Sequence, residues 1–211
     1  GSNSKTKKGF VMKLSKFISI ILHPLWMPLF SVYLSLNYVP SLKLFVYNSL
    51  DFIYLSILVY TVILPLISVL FLIKLRVLGS LEMSHLNERC VALFITFFWM
   101  SFGLFSLQNI LNFVPILNAV LLGGCVIVLL AGIISLSWKI SLHMLGAGGL
   151  FGGVIAISFL YNKTSILILL LILFSGMLGS ARLHEKAHTL SQLYIGYLIG
   201  IITEIIVVLN Y

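Results

Sequence analysis

Seven stretches of almost uninterrupted apolar residues dominate this 211-residue chain, and they limit what it can fold into more than any other feature. About 20 residues of helix cross the hydrocarbon core of a bilayer. Inside that core every backbone N–H and C=O must be satisfied internally, which leaves helices and closed β-barrels. The runs are too long for barrel strands and show no alternation, so helices are predicted. The composition agrees: 61% of residues are hydrophobic and only 9% are charged, against about 25% charged in a soluble domain. Spans are predicted at about Phe10–Tyr38, Asp51–Ile73, Cys90–Leu107, Ile116–Leu136, Ser141–Tyr161, Ile166–Ser180 and Thr189–Leu209. The expected fold is an all-α polytopic transmembrane helical bundle, with seven spans, or six if the first only partly inserts. Residues 1–9 read as a tag remnant and a basic tail, and 10–211 as a single integral membrane domain. The first span runs on past any small-residue cleavage site, so no cleavable signal is expected. No internal repeat stands out.

Prolines and small residues punctuate the spans. His23-Pro24 and Met27-Pro28 predict a break in the first span, and Pro65 predicts a kink in the second. His23 reads as satisfying backbone freed at that break. Pro40–Asn48 reads as a short loop, and Gln108–Pro115 as a turn that contains Gln108, Asn109 and Asn112. Gly148, Gly149, Gly152 and Gly153, with Gly196 and Gly200, have the spacing that lets helices approach closely. No Gly-Lys-Ser/Thr follows them, so a phosphate-binding loop is not indicated. Cys90 and Cys125 suit packing better than a disulfide or a metal site. Glu204, deep in the last span, is costly unless it pairs, is neutral or reaches the far interface.

The net charge of +8 lies at the ends of the spans. It points to anionic headgroups and chain orientation, not to nucleic acid. With seven spans, the connections Lys74–Arg89, Ser137–Ile140 and Ala181–His188 share the N-terminal face. Together with five lysines near the N-terminus, that face holds 11 of the 13 Lys and Arg residues, leaving Lys43 and Lys163 opposite. By the positive-inside rule this face is cytoplasmic.

The polar side chains gather in the same three connections: Arg89; Lys139, Ser141 and His143; and Arg182, His184, His188 and Gln192. Ionisable groups at the mouths of apolar helices are functional-site candidates by default. Guanidinium forks and helix N-termini suit a phosphate dianion. Two histidines beside it can divide the work of attacking phosphorus and protonating the leaving oxygen. His184, His188 and Gln192 recur every four residues, which on a continuous helix puts them on one face.

This pattern resembles the type 2 phosphatidic acid phosphatase superfamily of membrane lipid phosphatases. That family's second motif is Pro-Ser-Gly-His, and Ile140-Ser141-Leu142-His143 keeps the Ser-x-His. Its third motif is Ser-Arg, five residues, His, three residues, Asp; here Ala181-Arg182 is followed by five residues, His188, three more and Gln192. The first motif, Lys, six residues and Arg-Pro, matches least: Arg89 takes the arginine's place, Glu82 the lysine's and Cys90 the proline's.

The resemblance implies His188 as nucleophile and His143 as proton donor to the leaving alcohol. It implies Arg182 and Arg89 as phosphate ligands, with Ser141 helping to stabilise the pentacoordinate state and Gln192 orienting His188. Lys139, on charge alone, stands in for the missing lysine. The implied substrate is a phosphorylated or pyrophosphorylated lipid in the bilayer, with no cofactor. Gln192 brings no negative charge where the family has Asp, so a weaker nucleophile, or binding without turnover, is expected. The implied location is a bacterial inner membrane. The family's bacterial members commonly face the periplasm, against the cytoplasmic reading of the charge count.

The same residues also spell His184-Glu185-Lys186-Ala187-His188, an H-E-x-x-H. On a helix its two imidazoles would bind zinc and Glu185 would activate water, as in an integral-membrane metalloprotease. That reading needs a third ligand, for which His143 or His85 could serve although neither lies in a recognisable third-ligand pattern, and it leaves Arg89, Lys139 and Arg182 idle. A non-enzymatic membrane protein is the third alternative. Taken singly, Arg89, Lys139 and Arg182 also suit a plain cytoplasmic interface, and His143 a helix end; His85 and His184 read as peripheral.

Overall fold

The first span breaks where His23 precedes Pro24. In this computed structural model, which describes residues 2–81, 83, 85–163 and 166–211 and the side chains from residue 12 onward, α1 (Ser2–Ile21) stops just before it. A residue before proline is driven out of the helical region, and His23 is extended at φ −64°, ψ 139°. Its Nδ1 accepts from the Leu25 N–H at 3.4 Å, satisfying backbone freed by the break. A 3₁₀ turn (Pro24–Trp26) leads into α2 (Met27–Tyr38), whose Pro28 lies in the first turn, where a missing N–H costs nothing.

The Pro40–Asn48 segment is not a plain loop. It forms a short helix, α3 (Pro40–Phe45), and a 3₁₀ turn (Tyr47–Ser49). In the second span, α4 (Leu50–Leu58) and α5 (Leu64–Lys74) are joined by a π turn over Val59–Ile63. The Pro65 ring would strike the Thr61 carbonyl in a regular helix, and the wider turn relieves this. The Thr61 hydroxyl donates to the Ile57 carbonyl at 2.8 Å beside the turn.

Four further spans follow: α6 (Leu86–Leu111), α7 (Pro115–Ile134), α8 (Leu142–Leu160) and α9 (Ile166–His184). The last is α10 (Leu190–Asn210). Two sequence boundaries move. Gln108 and Asn109 belong to the last turn of α6, so the connection to α7 is shorter than predicted. Arg89 and Arg182 lie inside the ends of α6 and α9, not in connections. Glu82 lies outside the described residues.

Seven helical stretches among the described residues are long and apolar enough to cross a bilayer, and the protein is an all-helical, multi-pass membrane protein. Helix α8 is the core of the bundle, with 67% of its apolar window buried against 22% for α9 at the edge. Outward-facing side chains such as Phe98, Phe105, Ile172, Leu173 and Ile202 suit hydrocarbon as their solvent.

The fifth and seventh spans run parallel, and α8 packs most extensively on α10. Glycines make this possible. A methyl group on Gly148 would fall on the Tyr197 carbonyl, and one on Gly200 on the Leu145 carbonyl, so the two backbones touch. Glu204 on α10 is 2% exposed and faces the bundle, its side chain against Gly123 of α7 and Gly149, Gly152 and Gly153 of α8. Cys90 and Cys125 are buried and free.

Candidate functional site

Because α8 and α10 are parallel and in backbone contact, their N-termini open side by side, next to the last turn of α1 and the end of α9. The Ser141 N–H donates to the Gln192 carbonyl at 3.3 Å and joins the two first turns. Each helix has its own cap. Ser141 Oγ accepts from the Met144 N–H, and Thr189 and Gln192 form a reciprocal capping box. His143 is the second residue of α8, and His188 immediately precedes the α10 cap.

Five separate pieces of chain meet here. From α6, Arg89 is 6% exposed and donates from Nη2 to the Ile140 carbonyl at 2.7 Å. From the end of α9, Arg182 Nη1 pairs with Glu185 Oε2 at 2.6 Å. The Nε atoms of both arginines are buried and have no hydrogen-bond partner among the described residues. From α1, the Ser19 carbonyl accepts from His143 Nε2 at 3.0 Å, and the Ser19 hydroxyl donates to Glu185 Oε1 at 2.9 Å. The His23 ring stands edge-on to His143 with centroids 5.5 Å apart.

His188 donates from Nδ1 to Gln192 Oε1 at 3.1 Å, an oxygen that also accepts from the Thr189 N–H at 3.1 Å. This settles its tautomer and leaves Nε2 as the acceptor nitrogen. Burial holds the imidazole well below its usual 6.5, at about 4. The Gln192 hydrogen bond opposes that, while Arg182, Arg89 and Lys139 push the same way. His188 is therefore neutral at pH 7 and lies within electrostatic reach of all three cations. His143 lies within electrostatic reach of Arg182, His23 and His188.

The structure thus gathers Arg89, Lys139, His143, Arg182, His188 and Gln192, and corrects three other readings. His184, His188 and Gln192 do not share a helix face: α9 ends at His184, Lys186 takes a positive φ of 53°, and α10 begins only at Leu190. The helical premise of the zinc motif fails with it. His184 is exposed, Glu185 is paired with Arg182, and no group of three metal-ligating side chains exists among the described residues. Ser141 is fully buried with its oxygen accepting from the α8 backbone, so its place in the structure is that of a helix cap. His85 is exposed.

Sequence reasoning missed Ser19 and gave His23 only its role at the helix break. Neither carries a local signal, because both are brought to the site by the packing of the first span. The Arg182–Glu185 pair at i,i+3 and the Thr-x-x-Gln box were readable in principle. Three cations against one carboxylate among the described residues, two helix N-termini and two guanidinium nitrogens without partners have the charge and the donors that suit an anion. No protein-family model, no curated protein and no solved structure matches this chain.

Proposed function

We propose that the protein binds the phosphate of a phosphorylated or pyrophosphorylated lipid at this site and hydrolyses it through a phosphohistidine. The observation that carries the reading is the pair of buried, unpartnered guanidinium nitrogens on Arg89 and Arg182 beside a neutral imidazole whose Nε2 is the acceptor. Buried polar groups without partners are rare in native proteins and call for an explanation. A phosphate between the two arginines supplies one.

In this reading Arg182, Arg89 and Lys139 hold the phosphate oxygens. The lone pair of His188 Nε2 forms a bond to phosphorus as the ester P–O bond breaks, and His143, which takes up a proton from solvent as the phosphate's negative charge enters the site, gives that proton to the departing alkoxide. Water then attacks the phosphohistidine with His143 taking its proton, which frees inorganic phosphate and restores both imidazoles. The lipid tails stay in hydrocarbon while the headgroup meets the protein at the bilayer surface. We place that surface on the cytoplasmic side of a bacterial inner membrane, because 11 of 13 Lys and Arg residues lie there.

Purified protein in detergent with EDTA should release inorganic phosphate from lipid phosphates, and His188→Ala should lower the rate by at least about a thousandfold, the scale on which removing a catalytic nucleophile acts. Full activity in that variant refutes the assignment. A second reading, binding without turnover, is favoured by Gln192, whose neutral amide orients His188 without the charge that would stabilise its cationic phosphorylated form. Stoichiometric lipid-phosphate binding with no phosphate release would establish it.

A further inference from the structure

A cluster of cations at a membrane surface has an obvious competitor for any substrate: the phosphodiester groups of bulk phospholipid. Those groups carry one negative charge, while a phosphate monoester carries about 1.5 to 2 at pH 7. The site contains a device that bears on this difference. Glu185 is the carboxylate that touches the cluster among the described residues, with Oε2 on Arg182 Nη1 at 2.6 Å and Oε1 on the Ser19 hydroxyl at 2.9 Å. It is 13% exposed and Arg182 15%, so solvent screens the pair weakly.

Resting on the phosphate-binding reading above, we infer that Glu185 is a specificity-determining residue, an internal anion that a doubly charged terminal phosphate displaces from Arg182 and a singly charged phosphodiester does not. A phosphodiester that takes Arg182 from Glu185 trades one negative charge for another. It also competes with a carboxylate held in place by the chain, whose effective concentration is high. A dianion brings a second charge. It can span Arg182 and Arg89 and engage the free Nε of each, with Lys139 close enough to act on the same pocket. Three cations less one carboxylate leave two positive charges, which a dianion neutralises.

The displacement also reaches the proton donor. Ser19 holds Glu185 through its hydroxyl and His143 Nε2 through its carbonyl, so release of Glu185 loosens the contact of α1 with both.

The test uses the full-length chain in detergent, with His188→Ala in every arm so that nothing turns over. Binding of dioleoyl phosphatidate and dioleoyl phosphatidylglycerol is measured at pH 8 by native mass spectrometry, with diacylglycerol as the uncharged control. With Glu185 present, the monoester should bind tighter on the order of tenfold. Glu185→Gln, which keeps the shape and the Ser19 hydrogen bond, should bring the two within about threefold, chiefly by tightening the phosphodiester. An unchanged preference overturns the inference and leaves the phosphate reading standing. If neither charged lipid binds better than diacylglycerol with Glu185 present, the phosphate reading itself falls. If the glutamine variant does not fold, Glu185→Asp serves instead: its shorter reach cannot bridge Arg182 and Ser19, so the preference should narrow, and an unchanged preference overturns the inference equally.

Discussion

His188 owes its chemistry to its neighbours. Burial and three cations hold it at about 4, and the Gln192 amide resists that shift. In a detergent-solubilised sample labelled at histidine, the His188 ring should titrate with a midpoint about 4, against 6.5 for a free imidazole. Arg182→Gln should move the midpoint up by removing a cation, and Gln192→Asp should move it up further by adding an anion. A midpoint near 6.5 in the unaltered chain would contradict a half-buried ring within electrostatic reach of the cations. The same shift makes stability depend on pH with a definite sign. The folded pKa lies below the unfolded one, so the unfolded chain takes up the proton first. Stability is therefore retained above about pH 6.5, falls between there and about 4, and levels off below. His188→Gln should remove that part of the acid sensitivity from a thermal-denaturation series. At this scale the sequence was partly readable. Arg182, His188 and Gln192 announced themselves by spacing, whereas Ser19 looks like any serine in an apolar helix until the fold brings it to His143.

Helix boundaries remove the helical premise of the zinc motif. H-E-x-x-H and Arg-x5-His use the same residues, and only a continuous helix lets the first bind zinc. The break falls at Lys186, which adopts a left-handed φ of 53° with no glycine to mark it in the sequence, so periodicity alone carried the helix too far. The close α8–α10 pair is the element on which the site depends. Gly200→Ala would press a methyl group onto the Leu145 carbonyl and should cost about 1–3 kcal/mol of stability. It should also lower activity by separating the two helix N-termini. Gly176→Ala meets nothing within 4 Å and should be neutral or slightly stabilising. Equal loss in both variants, measured by thermal unfolding in detergent, would show that close packing is not the cause.

The whole molecule is a multi-pass helical bundle with the candidate site at one end. That end carries the Lys/Arg excess, and Lys186 is exposed on it, with Lys163 opposite. Cysteine at Lys186 should resist a membrane-impermeant maleimide applied to intact cells, while cysteine at Lys163 should react. The reverse pattern would turn the protein over and place the site outside. The native thiols are buried and should not confuse the result.

The length and approximate ends of the spans were legible residue by residue, and so were the break at Pro24 and an irregularity at Pro65. A bilayer forces each segment to satisfy its own backbone, which makes spanning a local property. What the site is made of was not local. Ser19 reaches His143 across 124 positions and Glu185 across 166, through the packing of α1 on α9 and of α8 on α10. Those distances close only when glycine-lined helices settle against one another, so the partners of each charged group belong to the tertiary structure alone.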